Sequence, residues 1–197
     1  MLLERVGRLP TTRVDRWLRR LSTFADHGKL WLVISLALGL QRGQQRRGAV
    51  RGLGSLVFSS ALVNVVLKRV FGRVRPDLAT VATDRSLRRA PHTLSFPSGH
   101  SASAAAFATG VALESPLAGA LIAPVALGVG YSRVHVGVHY PGDVLAGMAV
   151  GGWMSGVIYD LTGSYQAAFL NGIAWNLLNM SIAFWLLMDQ RRRQAMA

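Results

Sequence analysis

The chain has 197 residues, 51% of them hydrophobic, with 22 basic residues against 9 acidic and a formal net charge of +13. So much apolar surface excludes a disordered polycation, and the absence of cysteine excludes a disulfide scaffold or a Cys-ligated metal site. A nucleic-acid-binding domain is excluded by where the charges fall. Such a domain gathers its cations on one wet face, whereas here clusters of arginine alternate with long uncharged stretches. Residues 30–41, 52–67, 144–159 and 161–188 contain no Asp, Glu, Lys or Arg, and residues 90–132 contain only Glu114. A bilayer core roughly 30 Å thick needs about 20 apolar helical residues, and arginines fencing such windows read as snorkelling ends. The fold class is therefore all-α: a polytopic membrane bundle of about six transmembrane helices, preceded by an amphipathic helix.

Along the chain, MLLERVGRLP lacks the apolar region of a cleavable signal. Six arginines fall in the first 20 residues, and Pro10 divides them. After Thr11 and Thr12, Val14, Trp17, Leu18 and Leu21 recur at helical spacing between Arg13, Arg16, Arg19 and Arg20. That pattern predicts an interfacial segment over 1–20, lying on anionic lipid. Spans are expected at about 21–40, 52–70, 98–114, 116–131, 141–159 and 166–188. Asp26, His27 and Lys29 make the first the least apolar; Gly72 closes the second; Pro124 is a kink position in the fourth. Residues 21–190 form one membrane-embedded domain, and Arg191, Arg192 and Arg193 mark a basic tail over 191–197. Gly147-x3-Gly151, Gly152-x3-Gly156 and the run Ser101 to Ala106 predict faces where helices pack closely.

Three polar clusters interrupt the apolar background: Lys68 to Pro76, Phe96 to His100, and Ser132 to Asp143. Counting spans puts all three on one side of the membrane. Their chemistry fits a phosphoryl group. Lys68 and Arg75 are seven apart, and Gly72 lets the chain curl so that both reach one anion; Arg133 adds a fork able to hold two oxygens. Pro97-Ser98-Gly99 opens a helix with Ser98 as N-cap, and its free amides face an anion. His139 and Asp143 are four apart, so the carboxylate can hold one imidazole nitrogen and leave the other bare as a nucleophile. His100 suits general acid work. His135 has His139, not a carboxylate, at i+4, and reads as structural or pocket-lining. Arg69, Arg73, Arg85, Arg88 and Arg89 surround the loop between 76 and 97 and are expected to face anionic headgroups.

These clusters resemble the three motifs of the type-2 phosphatidic acid phosphatases, or lipid phosphate phosphatases, related in their site to vanadium haloperoxidases. K-x6-R-P stands at Lys68 to Pro76, P-S-G-H at Pro97 to His100, and S-R-x5-H-x3-D at Ser132 to Asp143. The resemblance implies an integral membrane phosphatase acting on a lipid phosphate, monoester or diphosphate, through a phosphohistidine. His139 is then the nucleophile, oriented by Asp143. His100 protonates the leaving oxygen and later activates water. Lys68, Arg75, Ser98, Gly99 and Arg133 hold the phosphate oxygens. No metal and no other cofactor is expected, and neither is a nucleic-acid partner; the partners are the phosphorylated lipid and a bilayer with anionic lipids. The competing function class is a non-catalytic protein that binds or moves anionic lipids, which degraded motif residues would favour. Nine arginines on the side of the termini against Arg42, Arg46, Arg47 and Arg51 on the other predict a multi-pass protein of the cell membrane with a cytoplasmic site.

Overall fold

A computed structural model describes residues 13–76, 87 and 93–162. Among these, every regular element is helical: α1 (Arg13–Phe24), a single 3-10 turn (Asp26–Gly28), α2 (Lys29–Gly39), α3 (Gln44–Phe71), α4 (Gly99–Ala112), α5 (Pro116–His135) and α6 (Pro141–Thr162). The expected sixth span at 166–188, residues 1–12 and the tail at 191–197 lie outside the described residues.

Three described helices are long and apolar enough to cross a membrane: Gln44–Phe71, Pro116–His135 and Pro141–Leu161. The sequence-predicted span at 21–40 is not one helix. It breaks at Asp26–Gly28, where His27 and Gly28 adopt left-handed backbone angles (φ 57° and 73°). The span at 52–70 begins earlier, at Gln44, because Gln45, Arg46 and Arg47 are good helix formers that need not enter lipid. The helix expected to stop near Tyr131 continues through Pro124 to His135. The predicted span at 98–114 is a helix of 14 residues, about 21 Å long. It is too short to cross alone and has no need to, because it is the core of the bundle.

Nine of the residues of α4 are buried, including Ala102, Ala104, Ala106, Phe107 and Val111, and α6, α3 and α5 pack around it. Lipid tails are as apolar as leucine, so such helices associate through close contact rather than through water release. Small residues make that contact. A side chain on Gly151 would strike the Ala102 carbonyl, and one on Gly147 the Ser98 carbonyl. The predicted Gly147/Gly151 face is thus the α6 face seated on α4, whereas Gly152 and Gly156 meet almost nothing. Ser155 Oγ adds a hydrogen bond to the Ala106 carbonyl (2.7 Å), worth about 0.6 kcal/mol between helices in lipid. Beside α4, Trp31 from α2 lies fully buried against Phe107, ring centroids 5.1 Å apart.

The two ends of α4 fix the ends of the molecule. At its C-terminal end, Glu114 binds Arg47 (3.1 Å) and Arg51 (3.0 Å) of α3, and Arg51 also lies over the Tyr159 ring of α6. Arg47 and Arg51 are therefore structural ties. At its N-terminal end, α1 packs on α5 through Leu18 and through two buried polar residues, Asp15 and Ser22. Only one face of α1 is left open for the interfacial pattern. Val14 and Trp17 stay 60% and 62% exposed, facing away from the protein, while the opposite face docks on the bundle. The helix also runs through position 20 without a break.

Candidate active site

The chain is bent three times at one end of the bundle, and each bend delivers part of the site. At the end of α3, a π-helical stretch (Leu62–Leu67) shifts the register just before Lys68; such bulges concentrate at functional sites. Gly72 then ends the helix in the left-handed region (φ 53°), its N–H returning to the Lys68 carbonyl, so the chain doubles back and carries Arg73 and Arg75 toward Lys68. Ser98 caps α4, accepting from Ser101 N–H (3.4 Å) and Ser101 Oγ (2.9 Å). After α5, the Arg133 carbonyl accepts from both Val138 and His139 N–H (3.2 Å each), with Gly137 at φ 74° in the turn. That turn sets His139 beside Arg133.

These bends close around a cavity of about 510 Å3, lined by Lys68, Arg75, Gly99, His100, Arg133 and His139 among others. Six of the eight residues singled out from the sequence share that wall. Asp143 and Ser98 do not line it. Asp143 sits fully buried behind His139, and Ser98 is occupied as the cap of α4.

Asp143 accepts from four donors: Tyr140 N–H (2.8 Å), Arg73 Nη1 (3.1 Å), Ser95 Oγ, and His139 Nδ1 (3.4 Å). Four converging donors suit a carboxylate that only accepts. Arg75 Nη1 lies 3.2 Å from His139 Nε2. A guanidinium can only donate, so Nε2 presents its lone pair and the ring hydrogen sits on Nδ1, toward Asp143. Burial, reinforced by the nearby Arg75 and Arg133, pushes the His139 imidazolium down to about 4, against the pull of Asp143. His139 is thus neutral near pH 7, with an unprotonated Nε2 at the cavity. Arg75 also binds the Thr93 carbonyl (2.6 Å) and the Val138 carbonyl (2.7 Å), stitching the loops before α4 and α6 together. Lys68 Nζ donates to Thr93 Oγ1 (3.1 Å). Arg133 is 1% exposed; its Nη1 donates to Ser22 Oγ (2.6 Å), while its Nε has no hydrogen-bond partner among the described residues. Three cations thus face two imidazoles across one space.

Several contacts depart from the sequence reading. Arg73, expected to face headgroups, instead pairs with Asp143 and lies over the Tyr140 ring, 4.0 Å from its centroid. Arg69 is exposed, and Arg85, Arg88 and Arg89 lie outside the described residues. His135 is tied to Asp15 (Nε2–Oδ1 2.5 Å) and does not line the cavity, which favours the structural of its two readings. Sequence reasoning missed Ser95, Thr93, Ser22 and Asp26. Asp26 lies 2.7 Å from His100 Nε2 and 3.6 Å from Arg133 Nη1. Its only signal was an acid placed where a span should be apolar.

Comparisons with known proteins bear on the family and the fold. The sequence profile of the PAP2 superfamily matches residues 49–166. The chain is 37% identical over 171 residues to the decaprenylphosphoryl-5-phosphoribose phosphatase of Mycobacterium tuberculosis, covering 85% of this chain and 88% of that protein. It is 42% identical over 104 residues to the lipid A 1-phosphatase of Rhizobium etli, covering 51% and 44%. The fold is similar to that of the transmembrane PAP2-type phosphatidylglycerolphosphate phosphatase of Bacillus subtilis (TM-score 0.61, 22% identity, 82% and 83% covered). It is equally similar to that of Aquifex aeolicus LpxE (TM-score 0.63, 21% identity, 82% and 93% covered). With its three motifs folded around one cavity and its profile match spanning more than half its length, this chain belongs to the PAP2 superfamily of membrane phosphatases.

Proposed function

We propose that the chain hydrolyses a lipid phosphate through a phosphohistidine at His139. The observation that carries this reading is the convergence of Lys68, Arg75 and Arg133 with His100 and His139 on one cavity. His139 Nε2 attacks phosphorus, forming an N–P bond as the P–O bond to the lipid breaks, and His100 gives its proton to the departing oxygen. Water then attacks the phosphohistidine, His100 takes its proton back, and orthophosphate leaves. Lys68, Arg75, Arg133 and the amides around Gly99 stabilise the equatorial oxygens, where charge gathers in the transition state. Ser98 contributes through the helix end it caps. Charge neutralisation by these side chains does the work a metal ion would otherwise do.

A phosphate fills only part of 510 Å3. The remaining wall mixes Ser60, Asn64 and Ser103 with Trp31 and Leu56, which suits a hydroxylated headgroup as well as a bare phosphate. The similarity to the mycobacterial phosphatase makes a polyprenyl-linked pentose phosphate the first substrate to test. Phosphate release should be measured in detergent micelles from that lipid, phosphatidate, phosphatidylglycerol phosphate and a prenyl diphosphate, each with EDTA. The expected result is release that EDTA leaves intact and that is fastest with the sugar phosphate. No release from any lipid, or release restored only by Mg2+, would overturn the mechanism.

The site faces the cytoplasm in this reading, in the cell membrane. Residues 21–190 form the phosphatase unit, preceded by an amphipathic segment over 1–20 and followed by a basic tail over 191–197. Support comes from α1 and α2. Asp15, Ser22 and Asp26 all touch residues at the site end, whereas Arg47, soon after α2, reaches Glu114 at the other. The short α2 therefore traverses the bundle, leaving the arginine-rich N-terminus beside the site, where positive charge favours the cytoplasm. A cysteine at Thr83, in a chain that has no other, should react with a membrane-impermeant thiol reagent only after cells are permeabilised. Labelling of intact cells would place the site outside.

A further inference from the structure

We propose that Asp26 is the positioning carboxylate of the acid–base histidine, so that the site works with two His–Asp pairs, His139–Asp143 and His100–Asp26. The inference rests on the phosphohistidine reading above and extends it to a residue outside all three motifs and outside the 49–166 match.

The backbone brings Asp26 there at some expense. Between α1 and α2 the chain makes one 3-10 turn and then places two successive residues in the left-handed region, His27 and Gly28. For a residue with a side chain, that region is disfavoured by about 1 kcal/mol or more. A continuous helix would have avoided the penalty. Just before the break, Asp26 Oδ1 lies 2.7 Å from His100 Nε2, in a half-buried position.

Two consequences follow for His100. A carboxylate accepts only, so Nε2 carries a hydrogen and the ring is fixed, leaving Nδ1 as the atom that exchanges a proton with the leaving oxygen and with water. The charged groups facing His100 are Asp26, Arg133 and Lys68. When His100 takes the proton of the attacking water, a new positive charge forms among two existing ones. Asp26 is the anion that offsets it. The same carboxylate stands 3.6 Å from Arg133 Nη1, so it also keeps the phosphate-facing fork beside the acid–base ring.

Asp26→Asn keeps the shape and removes the charge. Two substrates separate positioning of a proton donor from mere support of the fold: the best lipid phosphate, whose alkoxide must be protonated to leave, and p-nitrophenyl phosphate, whose phenolate leaves unaided. Lipid turnover should fall about 100-fold, at the lower end of what general acid–base catalysis supplies. The first-turnover burst of p-nitrophenolate should keep its wild-type size, and phosphohistidine should accumulate because its hydrolysis still needs His100. A p-nitrophenolate burst that is missing, or slowed as much as lipid turnover, would make Asp26 a structural tie and overturn the proposal, as would unchanged lipid turnover. Failure of the underlying reading is distinct: wild-type enzyme would then form no phosphohistidine, or His139→Ala would turn over lipid.

Discussion

Replacing His139 by alanine should lower kcat for lipid phosphate by at least 10^4-fold, roughly 5.5 kcal/mol at about 1.4 kcal/mol per decade. Among the described residues, His139 is better placed for attack than His135. His139 lines the cavity, is neutral at working pH and presents an unprotonated Nε2. His135, four residues earlier, has Nε2 engaged by Asp15 at 2.5 Å and does not line the cavity. Acid-labile phosphate trapped during turnover should therefore map to His139, and a phosphorylated His135 would show that the roles are reversed. Asp143→Asn should lose less, about 100-fold. Tyr140 N–H and Ser95 would still hold the amide oxygen in place, while the amide NH2 would face Arg73 without accepting from it and the ring would lose its anionic partner. Phosphate release from the same micelles measures both.

The motif histidines, Lys68, Arg75 and Arg133 were legible in the sequence because each carries chemistry that lipid-facing helices cannot tolerate without a use. Hydropathy located the helices, since an uncharged helical window of that length must be buried in lipid or in protein. It could not tell a helix that crosses the bilayer from one that hides from it. α4 is as apolar as a span, yet it is short and enclosed by its neighbours. Nor could it foresee the break at Asp26–Gly28. Three polar residues near the start of a window look like a weak span, and only tertiary packing brings His27 to the cavity and Asp26 to His100. Arg73 shows the same limit. Its neighbours in sequence place it among headgroup-facing arginines, while the turn at Gly72 directs it inward to Asp143. Local pattern reads the chemistry that a residue can perform. Which partner it meets is decided by tertiary bends that leave no period in the sequence.

Arg133 should be the most sensitive of the phosphate-facing cations. Its side chain is 1% exposed, braced by Ser22 at 2.6 Å, and its backbone carbonyl anchors the turn that carries His139. Its unpartnered Nε is a buried donor that a phosphate oxygen would satisfy. Arg133→Ala would also open a cavity and deprive Asp26 of a cation, mixing stability with catalysis. Arg133→Lys isolates the chemistry, keeping the charge while losing the planar fork. It should reduce kcat/KM about 10^2- to 10^3-fold, roughly 3–4 kcal/mol, within the range for loss of a preorganised transition-state donor. Vanadate, five-coordinate like the phosphoryl group in transfer, should lose affinity by a similar factor, because both report the same equatorial oxygens. A raised KM with kcat and vanadate inhibition unchanged would mean that Arg133 holds the ground state only. The transition-state charge would then rest on Lys68 and Arg75, which reach the cavity from the other side of the loop at Gly72.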